Sequence, residues 1–171
     1  MKLTTRELTL CALLTAMALA LSYLENFFPL SLAIPLPGVK LGLANVVTLF
    51  ALYALGPGQA MLILTGRCVL GAVFAGNMNA LLYSLLGGVA AMLVMILLSR
   101  LEGLSVYGVS IGGAAAHNCG QVAAAVLTLG NPAPLYYLPV LLGVSLGTGA
   151  LTGVLASCLF RGLAHTGLLG R

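Results

Sequence analysis

There is no aspartate in this chain of 171 residues, and its only acidic residues are Glu7, Glu25 and Glu102. Metal-assisted catalysis needs carboxylates to hold a hard cation against an oxygen-rich substrate, so that chemistry has no ligand set here. Charge of either sign is scarce. Asp, Glu, Lys and Arg make up 6% of the residues, against about 25% in a soluble domain, which excludes the soluble class. The seven basic residues are scattered, with no run able to track a phosphate backbone, so nucleic-acid binding is excluded as well. The four cysteines (Cys11, Cys68, Cys119 and Cys158) form no CxxC pair and all fall in apolar stretches. They read as small packing residues, with neither a disulfide framework nor a zinc site among them. A Walker A loop is also missing, so the chain is not itself an ATPase.

What is abundant is apolar sequence: 61% of the residues are hydrophobic and the mean hydropathy is +1.14. Runs long enough to cross a bilayer occur six times, at Leu8–Leu24, Leu41–Leu55, Gln59–Ala75, Ala80–Ser99, Tyr107–Leu129 and Leu135–Phe160. The second is short, and the last is long enough to tilt or bend. The first follows Lys2 and Arg6 as a signal sequence would, but runs into Tyr23, Glu25 and Asn26, not a small-residue cleavage site, and reads as a retained span. Turn-forming residues punctuate the breaks: Gly56-Pro57-Gly58, Gly76-Asn77, Arg100 to Gly103, and Gly130-Asn131-Pro132. The pattern predicts an all-α integral membrane protein, a single bundle of six transmembrane helices over residues 1–171.

Lysine and arginine set the expected orientation. With both termini on one side, that side carries Lys2, Arg6, Arg100, Arg161 and Arg171, and the other only Lys40. A multi-pass protein of the plasma membrane with both termini in the cytoplasm follows. The connection Glu25–Lys40 then faces outward. Its Phe27, Phe28, Pro29, Pro35, Pro37 and Gly38 make it stiff and apolar, suited to capping a cavity. Small residues mark expected helix contacts: Ala12, Ala16 and Ala20 on the first span, and Gly143, Gly147, Gly149 and Gly153 on the last. The glycines read as internal packing. The alanines serve equally for packing or for docking a partner helix.

Against this background a few polar residues stand out. Arg67 lies near the middle of the third span, where a charge costs about 2.5–3.5 kcal/mol to insert. His117, Asn118 and Gln121 lie centrally in the fifth, with His117 and Gln121 on one helical face. Asn45 and Thr48 fall in the outer half of the second span, Asn79 and Tyr83 at the outer start of the fourth, and Tyr136 and Tyr137 open the sixth. Each has a plainer explanation. The tyrosines suit the membrane interface, Asn79 suits a helix cap beside Asn77, Thr48 can bond back to its own helix, His117 can satisfy another helix, and Lys40 and Glu25 can be interface anchors. Arg67 resists such dismissal, because no carboxylate is expected at its depth. A polar cluster of this kind within apolar walls suits binding of a small polar or anionic molecule. It lacks a nucleophile with an oriented base, so catalysis is not expected, nor is a cofactor.

At these residues the chain resembles a known family. Val39-Lys40-Leu41-Gly42-Leu43-Ala44-Asn45, the stretch from Gly66-Arg67 to Leu70-Gly71 followed by Leu82-Tyr83-Ser84-Leu85, and Ala116-His117-Asn118-Cys119-Gly120-Gln121 look like the Gx transporter family, also named heptaprenyl diphosphate synthase component I. That family is similar in turn to the substrate-binding S components of energy-coupling factor transporters. The resemblance implies a six-helix membrane protein that captures a small-molecule substrate from outside, and the residue reading gives Lys40, Asn45, Arg67, Tyr83, His117, Asn118 and Gln121 as its ligand-binding set. It implies that Ala12, Ala16 and Ala20 dock a transmembrane coupling subunit, which cytoplasmic ATPases drive. The ligand does not carry over, since members differ in substrate. The synthase name sits poorly with a chain that has no aspartate to gather magnesium around a diphosphate. It leaves a second expectation, a non-catalytic membrane accessory of isoprenoid or quinone synthesis.

Overall fold

Thr4 and Glu7 begin the first helix with a reciprocal cap. The Thr4 amide donates to Glu7 Oε2 at 2.8 Å, and the Glu7 amide donates to Thr4 Oγ1 at 3.3 Å. In the computed structural model, which describes residues 4–25 and 42–164, this cap opens α1 (Thr5–Glu25). The helices α2 (Leu43–Ala54), α3 (Pro57–Ala75), α4 (Met78–Leu98), α5 (Val106–Leu129) and α6 (Leu138–Ala164) follow. Lys40, the Pro-rich stretch from Phe27 to Gly38, and Lys2 and Arg171 lie outside the described residues.

Local chemistry accounts for the helix ends. Pro57 takes the first position of α3, where its missing N–H is no loss. Gly76, at φ +60°, closes the helix in a left-handed turn that a side chain would strain. Asn77, not Asn79, caps α4, with its Oδ1 accepting from the Asn79 and Ala80 amides at 2.9 and 3.3 Å. Ser105 caps α5 through the Gly108 amide at 3.3 Å. All six helices fall within a few residues of the expected runs. The largest departure is at the sixth, where Ala133–Tyr137 forms a 3₁₀ turn before the α-helix begins. Pro132 and Pro134 each remove a backbone donor there.

Six α-helices are present among the described residues, and four apolar stretches are long enough to cross a membrane: Thr5–Glu25, Pro57–Ala75, Met78–Leu98 and Ala133–Gly162. The other two depart from the simple expectation. With 12 residues, α2 is about 18 Å long, well short of a hydrocarbon core of about 30 Å. It survives because its neighbours enclose it: every residue from Val46 to Leu52 is buried. In α5 length is ample at 24 residues, but His117, Asn118 and Gln121 leave it less apolar than those four stretches.

The bundle is apolar on its outer faces as well as in its core. Val73 and Phe74 are 68% and 76% exposed, and Leu97, Leu127 and Leu146 also point outward. Thr48, Ser110, Asn118, Ser145 and Thr152 are buried. Apolar outer faces with hydrogen-bonded polar groups inside are what a lipid solvent selects. Leu49, Ile63, Leu64, Met92 and Val109 form the middle of the core. At the end of the bundle where α2 and α6 terminate, Phe160 packs on Phe50 and, edge-on, on Tyr53, with ring centroids 5.2 and 5.9 Å apart. That end is plugged by aromatic rings.

Two of the four expected packing glycines do pack. A Cβ on Gly149 would lie 2.6 Å from Ile111 Cα, and one on Gly153 would lie 3.1 Å from Tyr107 Cα. Gly143 and Gly147 face outward with nothing near them, because one helix presents only part of its circumference to α5. An equally close backbone approach lies between α4 and α5. There a Cβ on Gly120 would lie 2.6 Å from the Leu86 carbonyl oxygen and 2.8 Å from Gly87 Cα. This crossing fixes where His117 and Gln121 stand.

Candidate functional site

At the end of the bundle opposite the aromatic plug, the helices part around a cavity of about 220 Å³. The C-terminal end of α1 supplies Ser22 and Glu25, and the start of α2 supplies Asn45. Arg67 and Cys68 come from α3, Ser84 from α4, and His117 and Gln121 from α5. Adjacent helices run in opposite senses, so helix ends and helix middles that are distant in sequence share this layer.

Arg67 is held from two sides. Its Nη1 donates to Ser22 Oγ and its Nη2 to Asn45 Oδ1, both at 3.3 Å. Nε is buried and has no hydrogen-bond partner among the described residues. Leaving such a donor unmet costs about 1–3 kcal/mol. The two bonds that are made are long, so the guanidinium is aimed by its neighbours without being saturated by them.

The carboxylate that the linear reading did not place at this depth is Glu25. It is buried and lines the same cavity as Arg67. Counting residues along α1 put Glu25 at an interface, but the long arginine stem spans the difference in depth. Glu25 has a second task. Gly42, at φ +79°, precedes α2 without a capping side chain, and the Leu43 amide donates to Glu25 Oε1 instead. A negative charge at a helix N-terminus is favourable in its own right.

The opposite wall belongs to α5. His117 and Gln121, one turn apart, both reach the cavity because α4 offers no side chain at the crossing. A Cβ on Gly87 would lie 2.9 Å from Gln121 Cγ and 3.1 Å from His117 Cε1. The adjacent glycines Gly87 and Gly88 in an apolar span were the available signal for this notch. The sequence reading, drawn to the glycines of α6, passed over it.

Of the residues expected to bind ligand, the structure thus brings together Asn45, Arg67, His117 and Gln121, and Lys40 lies outside the described residues. Two stand elsewhere. Asn118 turns away from the cavity toward α6, donating from Nδ2 to the Leu141 carbonyl at 3.0 Å and to Ser145 Oγ at 2.8 Å. One position along a helix is a rotation of about 100°, so neighbours in sequence serve different faces. Tyr83 pairs with Thr128 Oγ1 at 2.9 Å, tying α4 to α5 near an exposed end. Thr48 bonds back to the Asn45 carbonyl at 3.1 Å, and Tyr136 and Tyr137 are exposed. Asn118→Ala should therefore cost roughly 0.6–1.7 kcal/mol of stability per interhelical bond lost, seen as a lower thermal midpoint, and leave ligand binding intact. A binding loss without a stability loss would return Asn118 to the cavity.

Residues 14–159 match the family model for heptaprenyl diphosphate synthase component I. The chain belongs to this family. The match runs from the second half of α1 to near the end of α6 and so takes in every described wall of the cavity. No curated protein and no solved structure matches the chain. The family's name refers to a component of a synthase, while none of the described residues forms a cluster of three His, Cys, Asp or Glu able to hold a metal ion.

Proposed function

We propose that this protein is a membrane-embedded substrate-capture subunit, like the S component of an energy-coupling factor importer, that takes a small polar or anionic metabolite from the outer side. The observation that carries this reading is a cavity lined by Arg67, Asn45, His117 and Gln121 at one end of a bundle whose outer faces are apolar. The unmet Nε donor of Arg67 is a group that a polar ligand can satisfy. Apolar walls with a few convergent polar groups are the usual make-up of a small-molecule site. The distribution of lysine and arginine puts both termini in the cytoplasm and opens the cavity to the exterior of the plasma membrane.

In this reading the first helix is the docking surface for a transmembrane coupling subunit with cytoplasmic ATPases. Ala12, Ala16 and Ala20 are exposed, while α1 packs on the bundle through Cys11, Leu14 and Ala18. Small residues in that position allow a second helix to approach closely. Ala16→Trp should leave the thermal midpoint unchanged and reduce co-purification of a coupling subunit. A midpoint that falls would place Ala16 inside the bundle's own packing.

The family name favours one alternative, a non-catalytic membrane accessory that presents lipid substrates to a prenyl synthase. Affinity purification of the tagged chain from its own membranes in mild detergent separates the two. Recovery of a coupling protein with two ATPases supports capture for import. Recovery of a prenyl synthase subunit in their place refutes it and supports the accessory role.

A further inference from the structure

Gly87 is not one of the cavity's lining residues, yet both polar side chains of the α5 wall rest against it. A Cβ on this buried glycine would lie 2.9 Å from Gln121 Cγ and 3.1 Å from His117 Cε1. Carbon atoms pack at about 3.5–4.0 Å, so those two side chains already occupy the space a methyl would need. Resting on the capture reading, we propose that Gly87 is a positioning residue for the ligand. By carrying no side chain, it fixes where the Gln121 amide stands beside His117 in the cavity wall.

The face that α4 turns to the cavity leads to this glycine. Ala80 and Ser84 line the cavity, and Gly87 follows about one turn further along the same face. On the facing helix, Gly120 lies between His117 and Gln121 and brings the backbones together, its Cβ position 2.8 Å from Gly87 Cα. Such a crossing leaves room for the α5 side chains only where α4 has none. The groups around Gly87 differ in what they can yield. The His117 carbonyl oxygen, 3.1 Å from the same Cβ position, is backbone and moves only with its helix. The Gln121 stem is unbranched and turns about its own bonds. A methyl at position 87 is therefore relieved most cheaply by swinging Gln121. Its amide, which offers donors and an acceptor, then leaves its place in the wall.

Gly113 supplies a comparison at the same α4–α5 interface. A Cβ there would lie 2.6 Å from Met95 Cγ, and neither residue lines the cavity. Gly87→Ala and Gly113→Ala crowd the same two helices, but only the first crowds the wall.

The experiment measures the thermal midpoint of the full chain in lipid nanodiscs, alone and with serial dilutions of one probe. That probe is the low-molecular-weight extract of a rich growth medium. The midpoint alone reads packing, and the dilution that gives half the maximal rise reads binding. Gly87→Ala should need about three- to tenfold more extract for half the rise, as expected for the loss of one neutral hydrogen bond. Gly113→Ala should match the wild type in that reading even where its midpoint is lower. An unchanged requirement in Gly87→Ala, or an equal loss in Gly113→Ala, overturns the proposal and reduces Gly87 to packing. Should Gly87→Ala fail to fold, the Gln121→Ala background decides. The double variant lacks the stem that the methyl meets and should bind as Gln121→Ala does. A double variant that binds more weakly or does not fold, or wild-type binding by Gln121→Ala, overturns the proposal. No rise in the wild type removes the capture reading itself, and this inference with it.

Discussion

Valine in place of Gly120 should lower the thermal midpoint of the detergent-solubilised protein by about 5–10 °C, or prevent its recovery as a single species. The groups that a Cβ would meet are the Leu86 carbonyl oxygen at 2.6 Å, Gly87 Cα at 2.8 Å and the Leu86 carbonyl carbon at 2.9 Å. All three are backbone, so no side chain can rotate away and the two helices must separate. In lipid this separation is damaging, because helix association rests on close packing and not on exclusion of water. His117 and Gln121 flank Gly120 and would lose their register against Gly87. Gly143→Val serves as the control, since nothing lies within 4 Å of a Cβ there. Equal behaviour of the two variants in thermal unfolding or size-exclusion profiles would show that the α4–α5 crossing does not organise the bundle.

The helices themselves were legible from sequence because hydrophobic run length and turn residues act locally. Gly76-Asn77 and Gly130-Asn131-Pro132 end one helix and start the next whatever surrounds them. Partnership across the bundle was less legible. The depth of Glu25 depends on how α1 ends relative to α3, and its bond to Leu43 bridges the two described segments. Nothing in either segment alone announces that contact. Asn118 and Gln121 are equally polar in sequence, and only the placement of α6 separates an interhelical tie from a cavity wall. The outward-facing alanines of α1 and the outward-facing Gly143 and Gly147 of α6 make the same point. A small residue permits close approach, but it does not say which neighbour approaches.

Arg67 and Glu25 should behave as a coupled pair in a double-mutant cycle. Arg67→Met alone takes the cation from the cavity that the buried Glu25 also lines and should destabilise the protein. Glu25→Gln alone leaves the cation without its carboxylate and should do the same to a smaller extent, since the bond to the Leu43 amide survives. The double variant should recover most of the loss, with a coupling of about 0.5–3 kcal/mol in thermal or denaturant unfolding. Replacing buried charges of opposite sign by groups that need no compensation is often neutral or stabilising, and it also removes the unmet Nε donor of Arg67. The double variant should therefore come close to the wild type in stability while losing the midpoint rise that a bound small molecule gives. A residue kept for stability alone would not show that combination. Additive single effects would mean that the two charges do not sense one another. Retention of that rise in the double variant would place the ligand away from Arg67 altogether.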